Sequence, residues 1–228
     1  MATNDQRDLF TDFEPTPASL FELAHECERC PKLVRSRSQI VYPTPLPPGG
    51  ILAIGEAPGA DEDESGHGFV GAAGRRLHSI LGERGLRRGE HYGVANIVRC
   101  WPKDAAGKTR KPSRSEVLNC LPFLAQSILK LQPKVLLFIG DVPTSAFMGE
   151  GKLFDKIQWN ADAEFRADAM TDSAHSSLRE VTLMPGLLAV ASPHTSGLAW
   201  NRKASNGQRW SDIGSARINL AVELAGFK

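Results

Sequence analysis

Apolar residues in this chain gather into short runs separated by glycine-rich or charged stretches. Ile51-Leu52-Ala53-Ile54 is an unbroken run whose length and branching suit a strand buried on both faces. Residues 94–98 and 135–139 repeat that character, and Gly140 ends the latter. Leu77, Ile80 and Leu81 fall at helical spacing and predict a helix over residues 72–84. Ser113 and Glu116 form a capping box that opens a helix over residues 114–131. A short helix is expected through Met148. Residues 181–183 and 187–190 read as strands around the Met184-Pro185-Gly186 turn, and residues 211–225 as a closing amphipathic helix. Strands alternating with helices predict an α/β fold: an open, mostly parallel central sheet flanked by helices.

The remaining segments set the boundaries. Residues 1–18 are polar and read as a flexible tail, leaving a single domain over residues 19–228. Ser19 and Glu22 form a capping box for a helix over residues 19–26. Pro43, Pro45, Pro47 and Pro48 make residues 34–50 an extended connector. Residues 149–180 show little periodicity and read as a surface insertion.

Charge narrows the classes only by its distribution. Twenty-seven basic and 26 acidic residues give a formal charge of +1, so no global basic field announces nucleic acid. Locally, Lys103, Lys108, Arg110 and Lys111 share a proline-flanked loop. No apolar run reaches membrane-spanning length, and the polar N-terminus lacks a signal pattern, so a cytoplasmic protein is expected. Of four cysteines, Cys27 and Cys30 form a Cys-x-x-Cys pair, with Cys100 and Cys120 far along the chain. In a reducing compartment this favours metal or redox chemistry, and the spacing leaves zinc and an iron–sulfur cluster both open.

The densest chemistry lies between Gly55 and Gly74, where a strand end passes through glycines and five carboxylates into a helix. Ligands of open α/β sheets bind at such strand ends. Glycines let backbone approach a flat ligand, and Phe69 offers an aromatic face for stacking. The carboxylates argue against a simple phosphate site. Asn96 is a polar amide in an apolar strand, and His194 follows the last predicted strand within a second loop. In a parallel sheet these three places meet at one carboxyl edge.

Taken in order, these residues resemble the uracil-DNA glycosylase superfamily, most closely its family four, iron–sulfur branch. The resemblance rests on Gly-Glu-Ala-Pro-Gly at Gly55 to Gly59, then Glu62-Asp63, Gly66 to Gly71, Gly74 and Leu77, with Asn96, His194 and the four cysteines in matching order. Two departures mark a divergent branch: Gly68 stands where the family carries proline, and Thr195 replaces the proline after the histidine.

The resemblance implies a DNA-repair enzyme that hydrolyses the N-glycosidic bond of uracil and acts as a monomer on uracil-containing DNA, double- or single-stranded. Asn96 would pair with uracil O4 and N3–H, Phe69 would stack on the base, and Gly55 and Ala57 would line its pocket. The best-known members carry a water-orienting aspartate where this chain has Ala57. Glu56, Glu62 and Asp63 remain as carboxylates for that task, with Glu62 preferred for nearness to the base. His194 and backbone N–H groups of the Gly55 loop would stabilise charge on uracil O2. Ser196 belongs to the loop of His194, and Leu198 would wedge into the emptied base stack. Arg202, Lys203, Arg110 and Lys111 would hold phosphates. Cys27, Cys30, Cys100 and Cys120 would carry a structural four-iron four-sulfur cluster. Two alternatives stand beside this reading: a protein that retains its abasic product, or bonds to it through His194, and a non-catalytic module for damaged or single-stranded DNA.

Overall fold

The computed structural model describes residues 25–162 and 165–227. Four strands, β1 (Ile51–Gly55), β2 (Tyr92–Asn96), β3 (Val135–Ile139) and β4 (Leu188–Ser192), form one sheet in the order β2-β1-β3-β4, every pair parallel. Chain order runs from β1 outward to β2 and then returns to the other side of β1. The sheet therefore has a topological switch point between β1 and β3, where ligands of such sheets bind.

Strand side chains alternate between two cores. Leu52, Ile54, Leu136 and Phe138 face one layer with Leu121, Leu124 and Ile128. Ile51, Ala53, Val135 and Leu137 face the other with Leu77, Leu81, Ile218 and Val222. This explains the unbroken apolar runs: a strand covered on both faces has no polar side. Burying each such side chain is worth about 1.5–3 kcal/mol.

The helices are α1 (Pro31–Ser36), α2 (Ala60–Ser65), α3 (Ala72–Glu83), α4 (Arg114–Leu131), α5 (Asp141–Met148), α6 (Leu153–Asp162), α7 (Arg179–Thr182), α8 (Gly197–Trp200) and α9 (Trp210–Ala225). The capping box of α4 forms as expected, with Ser113 and Glu116 exchanging side-chain and backbone bonds. Most of the helix expected over residues 19–26 lies outside the described residues.

Several expectations are corrected. Residues 181–183 are not a strand: 3-10 turns at Ala167–Met170 and Ser176–Leu178 lead into α7. Leu178 and Val181, three apart, are both buried, so helical packing overrides the β-branched local preference. Pro31 opens α1, so the extended connector begins only at Arg37. The second strand starts two residues earlier than predicted, because Gly93 continues the pairing with Leu52. A short helix, α2, sits inside the loop after β1.

Residues 149–162 and 165–180 are a packed layer, not a surface insertion. Ile157, Asn160, Ala167, Met170 and Leu178 are buried. Asn160 completes the free edge of β4: its Nδ2 donates to Ala189 O at 3.0 Å, and Ala191 N donates to its Oδ1 at 2.9 Å. Arg217 donates to the same Oδ1 and to Ala191 O. An edge strand with unpaired backbone groups is a liability; here these side chains and the backbone of Phe165, whose carbonyl accepts the Ala189 N–H, pair it.

Candidate active site at the carboxyl edge of the sheet

A cleft of about 900 Å³ opens over the C-terminal ends of all four strands. Gly55, Glu56 and Ala57 line it from the end of β1, Asn96 from β2, Asp141 from the start of α5 after β3, and His194 from the loop after β4. The predicted convergence of three strand ends is observed.

Gly55 and Asn96 are register partners on adjacent strands. A Cβ on Gly55 would lie 2.6 Å from Asn96 Oδ1 and 2.7 Å from Phe69 Cζ, so only glycine leaves room there for amide and ring. Asn96 is 7% exposed, yet among the described residues no group is hydrogen-bonded to its side-chain amide. A nearly buried amide that faces a cleft without a partner is prepared to pair with a ligand.

Phe69 has φ of 59°, a left-handed conformation that costs about 1–2 kcal/mol for a residue with a side chain. His78 holds it there: Nε2 lies 2.9 Å from Phe69 O, and Nδ1 lies 2.7 Å from the Tyr92 hydroxyl. Burial lowers the His78 pKa, which keeps the ring neutral and matches one donating and one accepting nitrogen.

The carboxylates of the first loop divide by role. Glu62 Oε2 accepts the Gly59 N–H at 2.9 Å, and its Oε1 accepts the Gly71 N–H at 2.8 Å. Glu62 borders the cleft but spends both oxygens bracing its own loop. Asp63, the third expected carboxylate, is 2% exposed, accepts the Ser38 N–H and does not line the cleft. Glu56 lines it, and burial raises its pKa, opposed by the Lys111 cation and assisted by Asp141.

His194 is fixed from three sides. Ser196 N donates to its Nδ1 at 3.0 Å, so the remaining nitrogen, Nε2, carries the proton. Burial lowers its pKa and keeps the ring neutral. Gly140, at φ of 98°, lies against the ring; a Cβ there would meet His194 Cβ and Cδ2 at 3.2 Å. Thr195, fully buried, donates its hydroxyl to Ala73 O at 2.8 Å, and Arg76 donates to Thr195 O. These bonds tie the loop to α3 where the expected proline is missing.

The nucleic-acid candidates separate. Leu198 is 74% exposed at the cleft, as a wedge requires, and Ser196 and Arg202 line the same rim. Lys203 pairs through its backbone with that of Arg209 and does not line the cleft. Arg110 borders the cleft but is engaged by Glu116 at 2.7 and 2.8 Å, which holds the Glu116 carboxyl down to about 2. Exposed Lys111 beside it stays close enough to act on Glu56. The sequence reading missed Asp141, Arg76 and the structural part of Thr195. Asp141 had a signal, since it follows the Gly140 that ends a predicted strand; the α3 latch had none.

Residues 46–214 match the family model described as the uracil DNA glycosylase superfamily. The chain belongs to that superfamily. Among its curated relatives, a type-4 uracil-DNA glycosylase of Pyrobaculum aerophilum is 40% identical over 129 residues, covering 57% of this chain and 63% of the relative. Those of Sulfurisphaera tokodaii and Thermotoga maritima are 35% and 34% identical, over 58% of this chain and 58% and 65% of their own lengths. The chain thus spans less than two thirds of these superfamily members.

The cysteines lie away from the cleft. All four are free. Cys100, four residues past β2, and Cys120, within α4, belong to one core, with Cys27 and Cys30 packed against it. Arg37 Nη1 donates to Cys27 O at 2.9 Å and to Cys100 Sγ at 3.5 Å; Asn119 Nδ2 donates to Cys30 Sγ at 3.4 Å. Burial pushes the Cys120 thiol up to about 11, so a bound cation would have to displace its proton. Among the described residues, no three His, Cys, Asp or Glu side chains are set around one metal-ion position. The residues present fit an anionic group: donors aim at sulfurs, and a buried arginine nitrogen, Arg99 Nη1, lacks a partner.

Proposed function

We propose that this chain is a uracil-DNA glycosylase that hydrolyses the N-glycosidic bond of deoxyuridine in DNA and leaves an abasic site. The observation that carries this is the unpartnered Asn96 amide, beside Phe69 and facing the same cleft as a neutral His194. An amide offers one donor and one acceptor, matching uracil O4 and N3–H. Cytosine presents the reverse pattern and would leave buried polar groups unpaired, at about 1–3 kcal/mol each. Phe69 stacks on the extruded base, worth about 1–3 kcal/mol.

As the N1–C1′ bond breaks, negative charge moves onto uracil and positive charge onto the sugar. His194 Nε2–H donates to O2, and the Glu56 carboxylate faces the sugar and orients the water that adds to C1′. Glu56 takes this role in preference to Glu62, whose oxygens are bound to backbone. Leu198 enters the vacated stack, and Lys111 and Arg202 contact phosphates. Cys27, Cys30, Cys100 and Cys120 would hold a four-iron four-sulfur cluster whose chemistry is to cross-link the N-terminal segment to α4. Among the described residues, no helix is long and apolar enough to cross a membrane. The tautomer of His194 weighs against the covalent alternative, because a nitrogen that bears a proton is not a nucleophile.

The test incubates the protein with a uracil-containing oligonucleotide and follows free uracil and alkali-labile sites. Release of uracil with alkali-labile sites supports the reading. A shifted band without uracil release supports a binding module, and an adduct that survives denaturation supports covalent trapping.

A further inference from the structure

Arg99 is 3% exposed, one residue before Cys100. Its Nη2 donates to Phe123 O at 2.9 Å and to Ser127 Oγ at 2.6 Å, and its guanidinium lies 5.4 Å from the Phe123 ring. Its Nη1 is buried and has no hydrogen-bond partner among the described residues. Arginine remains charged in proteins, and a buried charge requires a counter-charge. Among the described residues, no carboxylate supplies one. The ionisable groups acting on Arg99 are Cys120, Tyr42, Cys27 and Cys100. Ser127 fixes the direction of the guanidinium, because its hydroxyl donates in turn to Phe123 O at 2.7 Å.

We propose that Arg99 is the counter-cation of the anionic group held by the four cysteines, and that Nη1–H donates to one of its sulfurs. The inference rests on the cluster reading above. Four thiolates around a cluster leave net negative charge, and hydrogen bonds to cluster sulfurs are a recognised means of stabilising it. With Arg37 and Asn119 aimed at Cys100 and Cys30, Arg99 would complete a set of donors around the sulfurs. Its Nη2 is spent on Phe123 O and Ser127 Oγ, which leaves Nη1 free for this role.

The experiment compares wild type, R99M, R99K and S127A, each purified anaerobically as the full chain. Iron and acid-labile sulfide are quantified, and the visible thiolate-to-iron absorption is followed in excess chelator. Loss of a partner around a metal site typically costs 10–100-fold in affinity, so R99M should bleach on the order of 10-fold faster than wild type. R99K retains the charge and should fall between them. A hydrogen bond lowers the energy of the sulfur lone pair, so R99M should also shift the absorption to longer wavelength. S127A only loosens Arg99 and should bleach faster than wild type, a result that stays readable if R99M fails to fold. Wild type with iron and sulfide, and variants that match it in bleaching and spectrum, would overturn the role of Arg99 alone. Equal damage in R99K and R99M would assign it a packing role and overturn the proposal. Zinc without iron or sulfide in wild type would overturn the cluster reading and this inference with it.

Discussion

Two loops meet over the cleft, and they are held in opposite ways. The loop after β1 braces itself: Gly59 and Gly71 both donate to Glu62, three and nine residues away. The loop after β4 fixes its histidine with a local bond, from Ser196 N to His194 Nδ1, and its Thr195 is held by α3. Arg76 and Ala73, which bond Thr195, lie 119 and 122 residues earlier in the chain. A proline at 195 would restrict the backbone by its own ring. Threonine reaches the same end only through the tertiary fold, so the geometry of His194 depends on α3 being in place.

This contrast makes graded predictions. Glu62→Ala should have the largest effect on stability, because it strands two backbone donors at about 1–3 kcal/mol each. Urea unfolding at constant m-value reads it, and a loss smaller than that of a Thr195 variant would invert the comparison. Thr195→Val keeps the shape and removes the hydroxyl. It should cost about 0.5–1.5 kcal/mol of stability, and it should lower kcat for uracil release while KM changes little, because His194 moves and Asn96 does not. Equal kcat would show that Arg76 alone holds the loop.

The smallest effect concerns pH. Burial raises the Glu56 pKa, and Lys111 opposes that rise. If ionised Glu56 is required, activity falls as pH drops through that raised value. Lys111→Met removes the opposing cation and should move this acid limb to higher pH. Asp141→Asn removes a negative neighbour and should move it to lower pH. Single-turnover pH profiles check both shifts, and a limb unmoved in both variants would take Glu56 out of the reaction.

The same contrast explains what could be read from the chain. The buried strands were legible because both faces are covered, leaving simple apolar runs at Ile51–Gly55 and Val135–Ile139. Gly55, Asn96 and His194 were legible because parallel strands must end on one edge. Glu62 was visible as a residue, but its bracing role needed the positions of Gly59 and Gly71. The layer at residues 153–162 and 165–178 was illegible because short 3-10 turns break its apolar period and because Asn160, a polar residue, is buried to pair the edge of β4. Val181 misled for a related reason, since β-branching favours strands and tertiary burial placed it in α7.

His194 tests the account most directly, because it separates catalysis from binding. Its Nε2–H is the donor proposed for uracil O2, whereas DNA affinity depends mostly on phosphate contacts. His194→Ala should therefore lower single-turnover uracil excision by about 10²–10³-fold, the usual cost of one such donor, while affinity for an abasic-site duplex changes little. Both are measured on one folded preparation. Excision at the wild-type rate, or a parallel loss of binding and excision, would contradict the claim that a neutral histidine at the end of β4 stabilises the departing base.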